Sequence, residues 1–292
     1  LSAAGRSTNI SLVKTYLKAA AGLALVASVG LGISFVFYLH DDTRCDASVI
    51  TGCSTITISG DITPEMFVDV GKYLVESTAP KKTFVIEASG GGDAFAAVAI
   101  AMLIHRHGWD VEVVRFCGSS CANFLFPAGK TKYLHRDSLL LFHGGPYQAN
   151  LLESAIAFDR ELANGRTLAE PITFGQKDKE GTMTFSGDER SPAGQEVFEF
   201  LSVHAHTATD LVLELRRLSD QLYQEIGVDP LLPTYGQIGQ YEPIYRSYEY
   251  DGYFYGLDSL RRFGITKIEL KDGEWHPERN PDYERVYEVT YP

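Results

Sequence analysis

Basic residues are scarce in this chain: 26 Lys and Arg stand against 38 Asp and Glu, a net charge of −12. Nucleic-acid binding needs clustered Lys and Arg to neutralise phosphates, and no basic stripe is visible, which argues against a nucleic-acid partner. Histidines number eight and are scattered, and there are four cysteines. No ligand set stands at the spacing a zinc site needs, so no metal is expected. The apolar stretch near the N-terminus is not closed by a small-x-small cut site, which counts against a cleaved signal peptide.

What is present is the material of a globular chain: 292 residues, 45% hydrophobic and 22% charged, enough for one large domain or two small ones. Residues 19–39 read AAAGLALVASVGLGISFVFYL, 21 residues without a charge. As a helix they would cross a hydrocarbon layer of roughly 30 Å. Arg6, Lys14 and Lys18 precede the stretch and Asp41 and Asp42 follow it. The positive-inside rule then predicts a single-pass anchor with the rest of the chain extracytoplasmic, where disulfides persist. Residues 41–54 form a cysteine-containing linker, and Cys45 and Cys53 are expected to bridge within it. Cys117 and Cys121 enclose Gly118, Ser119 and Ser120; they either bridge and stiffen that turn or stay reduced as small buried residues.

From residue 55 the hydrophobic periodicity is regular. STITISG alternates as a strand, and TPEMFVDVGKYLVEST puts Met66, Phe67, Val70, Tyr73 and Leu74 on one helical face. KTFVIEA is a nearly continuous apolar strand. SGGGDAFAAVAIAMLIHRHG runs into a helix with Phe95, Val98, Ala99, Met102 and Leu103 on a common side, and WDVEVVRF is a further strand. This order predicts an α/β fold of βαβ units with a mostly parallel sheet. Functional groups then gather at the carboxyl ends of the strands. Two glycine- and serine-bearing loops fall there, Ser89–Gly92 and Cys117–Cys121, and His143 follows the apolar run SLLLF. Together they supply a nucleophile, a base and backbone N–H groups for a developing oxyanion. Each piece alone also serves packing or helix capping.

ASGGG at 88–92, GSSCANFLFPAG at 118–129 and LLLFHGG at 139–145 stand in the order of a glycine loop, a catalytic-serine turn and a catalytic-histidine strand. In this the sequence resembles the Clp protease proteolytic subunit family, within the Clp/crotonase superfamily. The resemblance covers about residues 55–145 and resumes at LDSLRRFGITKIEL. It implies a Clp/crotonase-like fold of repeated ββα/βαβ units and a Ser-His peptidase site. Counting back from FPAG places the nucleophile at Ser120, the expected position; anchoring on the cysteine pair, as in membrane-attached or periplasmic homologues with a C-x-S-x-C element, would place it at Ser119 instead. His143 matches the base, and Gly91 and Cys121 match the two oxyanion-hole donors. The family's acidic position falls on Tyr248, with Glu249 and Asp251 close enough to serve after a small shift.

The segment at about 150–195 departs from the family and reads as a polar, exposed insertion, and AHTATDLVLELRRLSDQLYQEIG after it is helical. The resemblance implies a membrane-anchored, periplasmic serine peptidase acting on peptides or proteins, needing no cofactor and forming a homo-oligomer. Three alternatives stay open: an inactive Clp-like scaffold that binds peptides, a Ser-Lys peptidase using Lys177 or Lys179, and acyl-CoA chemistry as in crotonases.

Overall fold

The computed structural model describes residues 42–163, 182–183, 203–204 and 207–292. The expected span at 19–39, Lys177, Lys179 and most of the expected insertion lie outside the described residues. Among the described residues no helix is long and apolar enough to cross a membrane.

The chain divides into two compact units. The larger comprises residues 35–148 and 217–292. It opens with β1 (Asp42–Cys45), β2 (Thr55–Ser59), α1 (Pro64–Glu76), β3 (Thr83–Ser89), α2 (Ala94–Arg106) and β4 (Asp110–Gly118). A π-helical turn (Cys121–Leu125) and one further helical turn (Phe126–Ala128) lead to β5 (Lys132–Leu134) and β6 (Leu139–Leu141). The other unit holds α3 (Ala149–Ala163), the two-residue strands β7 (Thr182–Met183) and β8 (Val203–His204), and the first half of α4 (Ala208–Ile226). The chain closes in the larger unit with β9 (Gly252–Tyr255), α5 (Leu257–Arg262), β10 (Ile268–Leu270) and β11 (Val286–Val289).

The main sheet is mostly parallel, in the order β1-β2-β3-β4-β5-β10, with β6 also on β4. Only β1 pairs antiparallel, adding a strand where the sequence suggested a linker. The Cys45–Cys53 disulfide ties the end of β1 to the residues just before β2. β4 is long enough to serve two partners on one edge: Val111–Val113 pair with β5, and Phe116–Gly118 pair with β6. Asn280 bridges the fork between them, its Nδ2 donating to the Arg115 carbonyl at 2.9 Å and the Asp137 carbonyl at 2.8 Å.

The helices start where short side chains cap them. Thr63 accepts from the Met66 N–H at 3.1 Å, and Asp93 from the Ala96 N–H at 2.8 Å. α1 buries Met66, Phe67, Val70 and Leu74 as its periodicity predicts. α2 differs from its one-sided expectation: every residue from Phe95 to Ile104 is buried, so it is a central helix rather than an amphipathic one. The Trp109 indole after it is fully buried and donates to the Leu74 carbonyl at 2.9 Å, joining the two helices to the start of β4.

At the other end of the sheet Ala88, Phe116, Leu139, Leu141, Phe254 and Val286 form one apolar cluster. It joins the carboxyl ends of β3, β4 and β6 to the parallel pair β9 and β11. In the smaller unit, Ala155 of α3 packs with Ala208 and Val212 of α4. Asp159 there accepts from the Ala208 and Thr209 N–H groups, both at 2.9 Å, capping α4 from a neighbouring helix. Residues 149–163, at the start of the expected insertion, are helical.

Candidate active site

β4 ends at Gly118 directly beside Leu141, the last residue of β6. The next residue, Ser119, donates its N–H to the Leu141 carbonyl at 2.8 Å. Two residues beyond Leu141 stands His143, so the serine turn and the histidine leave the sheet on adjacent strands, which lie roughly 5 Å apart. Ser119 has φ of 55°, a left-handed conformation uncommon for a serine, while Ser120 is right-handed at φ −58°. Ser119 is half-buried and Ser120 is 3% exposed. The Ser120 hydroxyl donates to the Gly92 carbonyl at 3.3 Å.

The Ser119 carbonyl accepts the Asn123 N–H at 2.8 Å and so begins the helix. The first N–H groups of a helix have no intrahelical partner, and here they belong to Ser120 and Cys121. The helix then widens to a π-turn over Cys121–Leu125, which holds one residue more than an α-turn of the same rise. The Cys117–Cys121 disulfide closes across the serine pair, from the end of β4 to the start of that turn.

The glycine loop faces this turn. Gly91 has φ of +94°, and a Cβ there would stand 2.7 Å from the Gly118 carbonyl oxygen and 2.9 Å from the Ser120 nitrogen. No residue but glycine fits so close to that backbone at this φ. The Gly91 N–H itself meets the Ser89 hydroxyl at 3.2 Å. Its carbonyl accepts from Ile62 at 2.7 Å, which holds the loop onto the residues after β2.

His143 is reached from its other side by β9. Phe142 and Tyr253 exchange two backbone hydrogen bonds of 2.7 Å, and a Cβ on Gly252 would stand 3.2 Å from that of His143. Burial of the imidazole holds its pKa below the ordinary value, while the nearby Asp251 carboxylate pulls it up. Of the two acids considered, Asp251 is thus the one whose charge acts on the ring. Glu249 lies in an exposed turn, its N–H on the Ser247 hydroxyl at 3.3 Å, and Tyr248 is 62% exposed with φ of 57°. Asp251 is ion-paired with Arg285, which also meets Asp282 at 3.0 Å.

Three groups at the site were not singled out from sequence. Asn123 is 3% exposed and its Nδ2 donates to the Gly144 carbonyl at 2.8 Å. Gln237 donates from Nε2 to the His143 carbonyl at 2.6 Å. Arg285 reaches Asp251 as described. Only Asn123 left a trace, as one polar residue inside the apolar run CANFLF. Elsewhere, Cys45, Asp46 and Cys53 cluster closely enough for a metal, but the two thiols are joined as a disulfide and are not free to ligate.

No protein-family model matches the chain, and no curated protein matches it significantly. Among solved structures, an enoyl-CoA hydratase from Bacillus anthracis is similar over 70% of this chain and 90% of that one, at 9% identity and a TM-score of 0.27. A likeness that distant carries no argument about the site. What stands without it is a mixed α/β protein, mostly parallel in its sheet, with a serine turn, a glycine loop and a histidine at the strand ends.

Proposed function

We propose that this protein is a serine hydrolase, a peptidase of Clp/crotonase-like fold, with Ser119 as nucleophile and His143 as base. The observation that carries this is the left-handed Ser119 at the end of β4, hydrogen-bonded to the strand that delivers His143. Non-glycine residues in that region cost energy, and such strain collects at functional sites. The π-turn also reconciles the two sequence registers. A count back from FPAG that assumes an α-helix stops one residue short across a π-turn, which supports Ser119, the position the cysteine pair indicates, over the expected Ser120.

In the reaction the Ser119 hydroxyl oxygen adds to the substrate carbonyl carbon and its proton passes to the His143 ring. The carbonyl oxygen becomes an oxyanion, which the Ser120 N–H would receive; the Gly91 N–H opposite would join it on leaving the Ser89 hydroxyl. Collapse breaks the bond to the leaving amine, which takes the proton from His143 and leaves an acyl-serine. Water then repeats the sequence with His143 as base and frees the acid. Burial keeps His143 neutral near pH 7, the state a base requires, and Asp251 offers the charge that steadies the imidazolium. The apolar stretch at 19–39 supports attachment to a membrane with this domain outside the cytoplasm, and the two disulfides suit an oxidising compartment.

A fluorophosphonate probe tests the assignment. Wild-type protein should label, Ser119→Ala should abolish labelling, and Ser120→Ala should retain it. Labelling lost in Ser120→Ala and kept in Ser119→Ala would move the nucleophile by one residue. An intact, folded sample that never labels would point instead to a peptide-binding scaffold.

A further inference from the structure

His143 sits just before a turn whose backbone is gripped from two directions. The Gly144 carbonyl accepts from Asn123 Nδ2 at 2.8 Å, and the His143 carbonyl accepts from Gln237 Nε2 at 2.6 Å. Asn123 lies on the π-turn and is itself bonded through its N–H to the Ser119 carbonyl at 2.8 Å. Gln237 lies on the 231–237 segment, which β9 and β11 hold by tyrosine hydroxyls. Tyr253 donates to the Pro233 carbonyl at 2.5 Å, Tyr255 to the Leu232 carbonyl at 2.8 Å and Tyr287 to the Gly236 carbonyl at 2.6 Å. Gly144 itself has φ of +128°, and a Cβ there would meet Gln237 Nε2 at 2.6 Å.

We infer that Asn123 and Gln237 are positioning residues for the hydrolase site proposed above, clamping the His143 and Gly144 carbonyls so that the imidazole is fixed relative to Ser119. Neither side chain reaches the reacting atoms; both act through the backbone of the base. Asn123 couples the two halves directly, since one residue bonds the serine's carbonyl through its backbone and the carbonyl after the histidine through its side chain. Its Oδ1 is the one buried side-chain polar atom among the described residues without a partner. A buried acceptor with no partner among the protein atoms costs stability, and the compensating contact of this carboxamide is its Nδ2 donation to Gly144. That cost is understandable if the Nδ2 donation serves the site.

The inference rests on the hydrolase assignment, and its test separates the two. Asn123→Leu and Gln237→Met remove one clamp each while keeping approximate size. Both should slow fluorophosphonate labelling per folded molecule by about tenfold to a hundredfold, as small misplacements of a catalytic group do. Both should also move the His143 titration, followed by NMR with His143→Gln for assignment, upward toward its ordinary value as the ring gains solvent. Asp251, whose charge acts on the ring, and its partner Arg285 are left in place, so a shift reports the ring's position. The NMR measurement holds even if wild-type protein never labels, an outcome that would sink the hydrolase assignment alone. If either variant fails to fold, the other decides from the opposite side of the peptide. An unchanged His143 titration together with a wild-type labelling rate overturns the clamp.

Discussion

Replacing Gly91 with alanine should damage the fold and the site together, and the two effects can be separated. At φ +94° a side chain costs about 1–2 kcal/mol for the left-handed backbone alone. The new methyl would also stand 2.7 Å from the Gly118 oxygen and the Ser119 Cβ, and 2.9 Å from the Ser120 nitrogen. Ordinary contacts are roughly 3.5 Å or more, so the serine turn or the glycine loop must yield by most of an ångström. Such overpacking adds about 1–3 kcal/mol, for a total of about 2–5 kcal/mol. Gly108→Ala is the control, because Gly108 has φ of +67° with nothing within 4 Å of its Cβ position. It carries the conformational cost without the collision. Denaturant unfolding of both variants gives the contact contribution by difference, and probe labelling reports the displacement of Ser119. Gly91→Ala should label about a hundredfold more slowly, whereas Gly108→Ala should label like wild type. Equal stability losses in the two, with labelling intact in both, would refute the close approach of loop and turn.

Three further outcomes are expected. Burial raises the Asp93 carboxyl to about 6 against the hydrogen bonds it accepts at the start of α2. The folded state therefore holds a proton the unfolded state releases, and stability should fall as pH rises from about 4 through about 6, by at most about 3 kcal/mol since the residue is only half-buried. Asp93→Asn should keep the cap and flatten that slope in thermal melts; an unaltered slope would show the proton resides elsewhere. Opening the Cys117–Cys121 link, four residues apart, by a double alanine variant should cost about 2 kcal/mol by loop entropy and slow labelling as the turn loosens; wild-type stability and rate would contradict this. Because burial lowers the His143 pKa, labelling should persist below pH 6.5 and then fall as the ring gains a proton. The same group makes stability decline on acidification below 6.5, a trend that should vanish in His143→Gln, which should also lose labelling at every pH.

The sheet from β2 to β4 was legible because each strand is a short apolar or alternating run and each intervening helix keeps its period. β1 was not: DTRC has no alternation to read, and its pairing with β2 is a tertiary event. α2 misled in detail, since a helix buried on all sides shows no preferred face. The π-turn was hidden for the same reason, because Cys121–Leu125 and the turn after it are buried throughout and leave no polar marker of winding. That hidden extra residue is what makes the count from FPAG favour Ser120 over Ser119. The loops carrying Gly91, the serines and His143 were visible through their glycines and their place after apolar runs. Asp251 stayed ambiguous with Glu249 because the bridge between Phe142 and Tyr253, which brings the start of β9 beside the histidine strand, is a tertiary contact. Gln237 and Arg285 had no signal, since each acts on a segment remote in sequence.

The fork in β4 bears on how the molecule matures. Asn280 supplies both hydrogen bonds that seal it, and β11 and Arg285, which steady β9 and Asp251, follow within nine residues. While the chain is being synthesised, the serine and histidine emerge long before these parts do. A nascent polypeptide therefore holds the serine turn and the histidine with the seal unmade, and the fork closes only once the stretch around Asn280 has emerged.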